Sequence, residues 1–207
     1  MKKYVLLFIT VSLFSSCVAT RTREENLLIL EKRAKIVSAA QEFLGKRELV
    51  VDNKKFNYDC SGLVRAVYYR GLGIDLFNVR KNEPGTKGVE VVYRYCRENG
   101  KIYGGKTPNN GDMVFFKNTY YSGREENFLS HVGVVEKTDK RGTITFIHLG
   151  SEGITRAKMN LKEPHSRRDD KMDEELNSYI RKKTGKEPSR AKYFSGELFN
   201  SFGTIFK

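Results

Sequence analysis

A cysteine at the start of a helix, with histidines far downstream on strands, is a pattern suited to acyl transfer. The stretch "NYDCSGLVRAVYYRGLG", residues 57–73, sets Cys60 directly after Asp59, a good N-cap residue. An apolar stripe of Leu63, Val64, Val67 and Tyr68 follows. A thiol attacks only as its thiolate. The first turn of a helix offers unpaired amides and a positive dipole end, together favouring an anion by about 0.3–1 kcal/mol. An imidazole in reach does more, taking the thiol proton and later giving it to the leaving amine.

The chain has three histidines. His131 opens the strand-like "HVGVVEK", His148 closes "TITFIH", and the turn-like "TDKRG" lies between them. A hairpin symmetric about residues 139 and 140 would place the two histidines directly opposite, with Cβ atoms about 4.5–5.5 Å apart. His131 can then serve as base and His148 can orient its ring. A one-residue slip would send them to opposite faces. His165, in "EPHSRR", reads as a loop residue without a role. Each group alone also has a plain reading, Cys60 as a small core hydrophobe and a strand histidine as a satisfied structural side chain. Their coincidence is what points to catalysis.

The elements that must position these groups follow from periodicity. Residues 23–44 show an apolar face at Leu27, Leu30, Ala34, Val37, Ala40 and Leu44, with Gly45 as a stop. The segment "KRELVVDNKKFNYD" reads as extended or irregular, a second helix starts near Cys60 and ends at Gly71 or Gly73, and a third covers about 86–98. Beyond "GGKTPNNG" the period becomes that of strands: "DMVFFK", "HVGVVEK", "TITFIHLG" and "GITRAKMN". Helices followed by strands predict an α+β class, with N-terminal helices packed on an antiparallel sheet. "HSRRDDKMDEELNSYIRKK" reads as a solvated helix or loop, and the aromatic end "YFSGELFNSFGTIF" is expected to pack back on the domain.

The N-terminus carries a processing pattern. Lys2 and Lys3 precede "YVLLFITVSLF", an uncharged run of eleven residues that is too short to span a bilayer but suits an export signal. "SLFSSC" then resembles a bacterial lipobox ending at Cys17, with Phe14 where leucine is usual and Leu13 one step earlier. Cleavage after Ala19 as an ordinary signal is the alternative. The expected organisation is a signal at 1–16, a lipidated tether at 17–25, a catalytic domain at 26–164 and a C-terminal extension at 165–207. Export would permit a Cys60–Cys96 disulfide, but the preferred reading of Cys96 in "VEVVYRYCRENG" is a buried helix cysteine. No cysteine or histidine spacing suggests a metal site. The formal charge of +13 falls to +11 without residues 1–16 and their two lysines. Such a surface favours anionic headgroups and cell-wall polymers. With no nucleic-acid motif beside the charge, no nucleic-acid partner is expected.

"DCSGLVRAVYYRGLGI", "GDMVFF", "HVGVVEK" and "FIHLGSEGI" resemble, in order, the signature blocks of the NlpC-type cell-wall endopeptidases, over about residues 36–160. The resemblance implies a papain-like fold and hydrolysis of peptidoglycan stem-peptide amides, commonly between D-glutamate and the diamino acid, without metal or cofactor. By position it implies Cys60 as nucleophile, His131 as base and His148 as orienting residue. Asp59 and Ser61 are candidate substrate contacts, or simply a cap and a helix-start residue. Many members carry a glycine-rich stretch with a tyrosine about twelve residues before the cysteine. Here Glu48 stands there, and Tyr58 is the nearest aromatic hydroxyl.

The expected protein is therefore an exported, lipid-anchored monomer whose partners are stem peptides and a bacterial membrane. A non-catalytic peptidoglycan-binding lipoprotein on the same fold is the rival from another class. An acyltransferase using the same thiol–histidine pair fits the sequence blocks less well.

Overall fold

The computed structural model describes residues 3–77, 88–121, 127–181, 183, 185 and 190–206, with side chains from residue 22 onward. Helix α1 (Lys3–Glu42) leads into a two-residue-strand hairpin, β1 (Val50–Val51) and β2 (Lys54–Lys55). Helices α2 (Cys60–Leu72) and α3 (Gly88–Asn99) follow. Strands β3 (Lys101–Tyr103), β4 (Met113–Lys117), β5 (Leu129–Thr138), β6 (Thr143–Gly150) and β7 (Gly153–Asn160) come next. A short α4 (Ser195–Leu198) runs directly into β8 (Phe199–Thr204). Six strands form one antiparallel sheet in the order β3-β8-β4-β5-β6-β7. The class is thus the expected α+β, with helices against an antiparallel sheet.

Two apolar clusters lie on the two faces of this sheet. The larger joins Ile36, Ala39, Ala40 and Phe43 of α1 and Leu63, Val64 and Val67 of α2 to Met113, Phe115, Val132 and Val134. The smaller gathers Val114, Phe116, Val135, Phe146, Met159, Leu198 and Phe202, with Leu161, Ile180 and Phe199 packed against it. Alternation along β4 explains the division, since successive residues of a strand point to opposite faces.

Helix α1 buries a different side from the one its apolar stripe suggests. Arg33, Ile36, Ala39, Ala40 and Phe43 face the core, whereas Leu27 and Leu30 are 58% and 61% exposed. The buried face is hidden from a count of apolar residues because one of its members is an arginine. Gly45 does mark the end, with φ of +72° and its amide donating to the Ile154 carbonyl. Among the described residues no helix is long and apolar enough to cross a membrane. Cys17 falls within α1, and its side chain lies outside the described ones.

Helix α3 starts at Gly88, and residues 78–87 before it lie outside the described ones. Cys96 is buried and free, its Sγ 3.5 Å from Met113 Sδ, and Cys60 is free as well, so the two form no bridge. The charged stretch from His165 forms no helix where described. It runs as turns with bridges Arg168↔Glu175 and Tyr179↔Phe194. The aromatic end does more than cover the domain: β8 enters the sheet between β3 and β4. The sheet is incomplete without residues 199–204.

Candidate active site

The route into Cys60 is set by backbone geometry. Asp52 and Asn53 both take positive φ, +47° and +64°, the turn geometry that lets β1 fold straight back on β2. That hairpin is the structure of the segment whose sequence reads as extended or irregular, and the Asp-Asn pair between two short runs marks its turn. Lys54 and Arg65 both bind Asp75, fastening the hairpin to α2. Asp59 then caps α2, its Oδ1 accepting from the Gly62 amide at 2.7 Å and the Ser61 hydroxyl at 2.6 Å. A side chain at Gly62 would collide with the Asn57 carbonyl, so only glycine lets the chain turn this tightly into the helix.

Cys60 is the first residue of α2 and only half-buried. Backbone amides of Val132, Ser61 and Cys60 itself act on its sulfur and favour the thiolate. The Val132 contact sets the thiol beside the residue next to His131 on β5. Burial outweighs these amides, with the Asp59 carboxylate adding to it, and the thiol is pushed up to about 11. The helix start therefore does not produce a resting thiolate; it only reduces what desolvation costs.

The two histidines meet, though not in the register that symmetry about residues 139 and 140 suggests. The pairs Val134↔Ile147 and Val135↔Phe146 set His148 beside Gly133 rather than His131. The turn, closed by Gly142 at φ +89°, centres on Arg141 and shifts the ladder, and an irregularity between Val135 and Lys137 takes one residue of that shift back. The displacement is two residues, so both rings keep one face and become diagonal neighbours, which long or aromatic side chains still bridge. His131 Nε2 lies 2.8 Å from His148 Nδ1, with the rings edge to face at 88°. Both imidazoles are held well below the ordinary histidine value by burial, and His131 further by the charge His148 would carry.

Burial thus leaves a neutral thiol at the start of α2 and a neutral imidazole pair on β5 and β6, linked through the Val132 amide. Because Nε2 of His131 is engaged by His148, Nδ1 is the nitrogen left to take a proton. For that it must be unprotonated, which requires the tautomer whose Nε2–H donates to His148 Nδ1. The two glycines around the pair leave room for it: a Cβ at Gly133 would lie 3.3 Å from His148 Cβ, and one at Gly150 would lie 3.0 Å from His148 Cε1.

The sequence profile of the NlpC/P60 family matches residues 45–171. The chain belongs to the NlpC/P60 family. Members of this family are generally cysteine peptidases acting on peptidoglycan, and some are non-catalytic. No curated protein matches the chain. The NlpC/P60 match ends at residue 171, but the sheet takes its β8 strand from residues 199–204, beyond the match.

The remaining sequence candidates fall around this centre. Ser61 is buried, its hydroxyl given to Asp59 and its side chain against Gly88. Asp59 is exposed. Tyr58 does not lean toward the thiol's amides; its hydroxyl donates to the Lys46 carbonyl at 2.9 Å, and Glu48 is exposed. His165 is exposed and bonds Glu197. Among the described residues no cluster of histidine, cysteine or carboxylate could hold a metal ion. Two grooves flank α1, one of about 720 Å³ lined by Gln41, Glu136 and Arg156 and one of about 580 Å³ lined by Leu30, Ala34 and Asn110. Neither includes Cys60 or the histidines.

Proposed function

We propose that this NlpC/P60 protein is a peptidoglycan stem-peptide endopeptidase with Cys60 as nucleophile, His131 as base and His148 as the residue orienting it. The observation that carries the reading is the 2.8 Å His131–His148 pair on the strand whose next amide, that of Val132, meets the Cys60 sulfur. In the first step the thiol proton passes to His131 Nδ1 as sulfur attacks the amide carbonyl. The amides at the start of α2 donate to the developing oxyanion. His131 then gives its proton to the leaving amine, and a thioester remains. In the second step His131 takes a proton from water, whose oxygen adds to the thioester and releases the acid and the thiol.

Further parts of the reading rest on sequence. The bond cleaved is that between D-glutamate and the diamino acid, and no metal or cofactor takes part. Lipid on Cys17 would hold a monomer at a bacterial membrane facing the wall, multiple acyl chains giving the firm anchoring that one chain does not. Asp59, exposed beside the nucleophile, keeps its candidacy as a substrate contact. Ser61 can serve only by giving up its bond to Asp59.

The rival reading, a wall-binding lipoprotein without turnover, is favoured by one observation: Tyr58 turns to Lys46, and no tyrosine stands at position 48. Purified sacculi incubated with wild type, Cys60→Ala and His131→Ala decide between them. Stem-peptide fragments identified by mass spectrometry from the wild type alone support hydrolysis, with His131→Ala lower by about 10⁴-fold. Binding by all three proteins without release of fragments would establish the rival.

A further inference from the structure

Four rings close a cycle around the candidate base. Phe116 lies 6.0 Å from His131, His131 5.0 Å from His148, His148 5.3 Å from Phe146, and Phe146 5.1 Å from Phe116, measured between centroids. The rings come from three adjacent strands, β4, β5 and β6. Phe116 stands opposite His131 in the β4–β5 ladder and opposite Phe199 in the β4–β8 ladder. Both phenylalanines are fully buried, in the cluster on the sheet face away from α2. Between the rings, the absence of a side chain at Gly133 is required, because a Cβ there would lie 2.9 Å from Phe146 Cδ2.

We propose that Phe116 and Phe146 are positioning residues for the base: with His131 and His148 they form a closed four-ring box that holds the plane of the His131 ring and keeps its Nε2 on His148 Nδ1. This rests on the assignment of His131 as base. A hydrogen bond between two imidazoles is satisfied equally by either partner donating, so the bond alone does not choose a tautomer. Packing chooses the ring orientation. Aromatic edges and faces prefer tilted or edge-on contact, and all four contacts in the cycle are tilted or edge-on. Tilting the His131 ring out of its plane would break two of those contacts together.

The box also accounts for the electrostatics. Its two phenyl faces are apolar walls, so each imidazole is desolvated on the side where no polar group replaces water. The groups acting on the dyad are few: His148 from β6 acts on His131, and Asp59 from α2 acts on Cys60. Thr155 stands opposite His148 on β7 and carries no charge. The box in turn leans on a residue beyond the family match, since Phe199 stands opposite Phe116 and packs against the same cluster.

The test uses the full-length protein with ¹⁵N-labelled histidine. Phe146→Leu and Phe116→Leu keep apolar bulk and remove the ring. Phe202→Leu is the control, buried in the same cluster and in ring contact with Tyr103 and Phe199 rather than a histidine. The wild type should show His131 as one neutral tautomer protonated at Nε2. In the two box variants that signal should average between tautomers, and protonation should move up toward the ordinary value of about 6.5. Turnover of sacculi should fall about 10- to 100-fold in kcat with KM unchanged, and its acid limb should move up in pH. Phe202→Leu should leave the histidine spectrum and the acid limb in place. Wild-type spectra in both box variants, folded by near-UV circular dichroism, would overturn the proposal. So would equal shifts in Phe202→Leu. Where a leucine variant does not fold, the methionine substitution takes its place. The spectra need no turnover, so an inactive wild type would refute the peptidase reading and still leave the box decided.

Discussion

Two polar clusters are buried against the same sheet, and they are built on opposite principles. Near its β3–β8 side, Asp112 is wholly buried and accepts from Arg33 Nη1 at 2.6 Å, from the Asn109 amide at 2.9 Å and from the Tyr103 hydroxyl. Arg33 spends its other donors on the Asn110 carbonyl and Thr204 Oγ1 and lies 4.7 Å over the Phe206 ring. Among the described residues, no buried side-chain nitrogen or oxygen of this cluster lacks a partner. At the β5–β6 end, the two imidazoles share one ring–ring hydrogen bond beside phenyl rings, the thiol meets backbone amides, and burial holds all three uncharged. The first arrangement ties α1, β3, β8 and the loop before β4 into one body. The second leaves a nitrogen free to take a proton. A saturated cluster holds; an unsaturated one can react.

Breaking the saturated cluster should produce the larger effect on folding. Asp112→Ala leaves the Arg33 charge buried without its partner, a change that costs about 3–5 kcal/mol. Chemical denaturation should show that loss, while histidine spectra recorded below the new midpoint should match the wild type. A shift in those spectra would mean the clusters are coupled rather than separate. Replacing Arg33 and Asp112 together by apolar residues should recover much of the lost stability.

Acid should strike the other cluster first. His131 and His148 have folded pKa values lowered below the unfolded value near 6.5, so the unfolded state binds more protons as pH falls through that value. Their contribution is complete above about 6.5 and is lost progressively below it. Asp75, paired with Lys54 and Arg65, is lowered to about 2, so its contribution holds down to the ordinary carboxylate value and is lost only between there and about 2. The melting temperature should therefore begin to fall near pH 6.5, and His148→Gln should flatten that first decline. An unchanged melting temperature between pH 7 and 5 would contradict neutral buried imidazoles.

The same neutrality predicts a sluggish thiol. A thiolate–imidazolium pair would be alkylated readily in mild acid. A thiol raised from about 9 to about 11 holds roughly 100-fold less thiolate near neutral pH than an ordinary cysteine. Iodoacetamide labelling of Cys60 in free protein should accordingly be slow at pH 7 and climb above pH 9. Fast labelling at pH 5 would show an ion pair and would remove the contrast between the two clusters.

Much of the reactive end was legible because its blocks are local. Asp59-Cys60-Ser61-Gly62 carries its own cap and its own steric demand for glycine, and both histidines sit at strand ends marked by the change of period. The offset register was not legible, because the turn closed by the left-handed Gly142 centres on Arg141, and an irregularity at Glu136 then takes one residue of that shift back. The holding end was nearly invisible. Arg33 occupies a core position that periodicity assigns to an apolar residue, so the apolar stripe of α1 marks a face rotated from the buried one. Strand β8 pairs with strands about a hundred residues earlier, and "FNSFGT" alternates too weakly to announce a place inside a sheet.

The smallest predicted effect lies where the two principles meet, at Asp59. Its carboxylate is a helix cap, bonded to the Gly62 amide and the Ser61 hydroxyl, and also a negative charge beside the thiol. Asp59→Ala should cost about 1 kcal/mol through the lost cap. It should at the same time lower the Cys60 pKa, because the repulsion opposing the thiolate disappears. Asp59→Asn separates these contributions: the amide oxygen still accepts from Gly62, so stability should be nearly retained, and alkylation at neutral pH should still rise. If sacculus hydrolysis drops in Asp59→Asn while alkylation accelerates, the carboxylate is contacting substrate rather than tuning the thiol. Equal stability loss in both variants would instead show that the ionised carboxylate, not its oxygen geometry, is what α2 requires at its start.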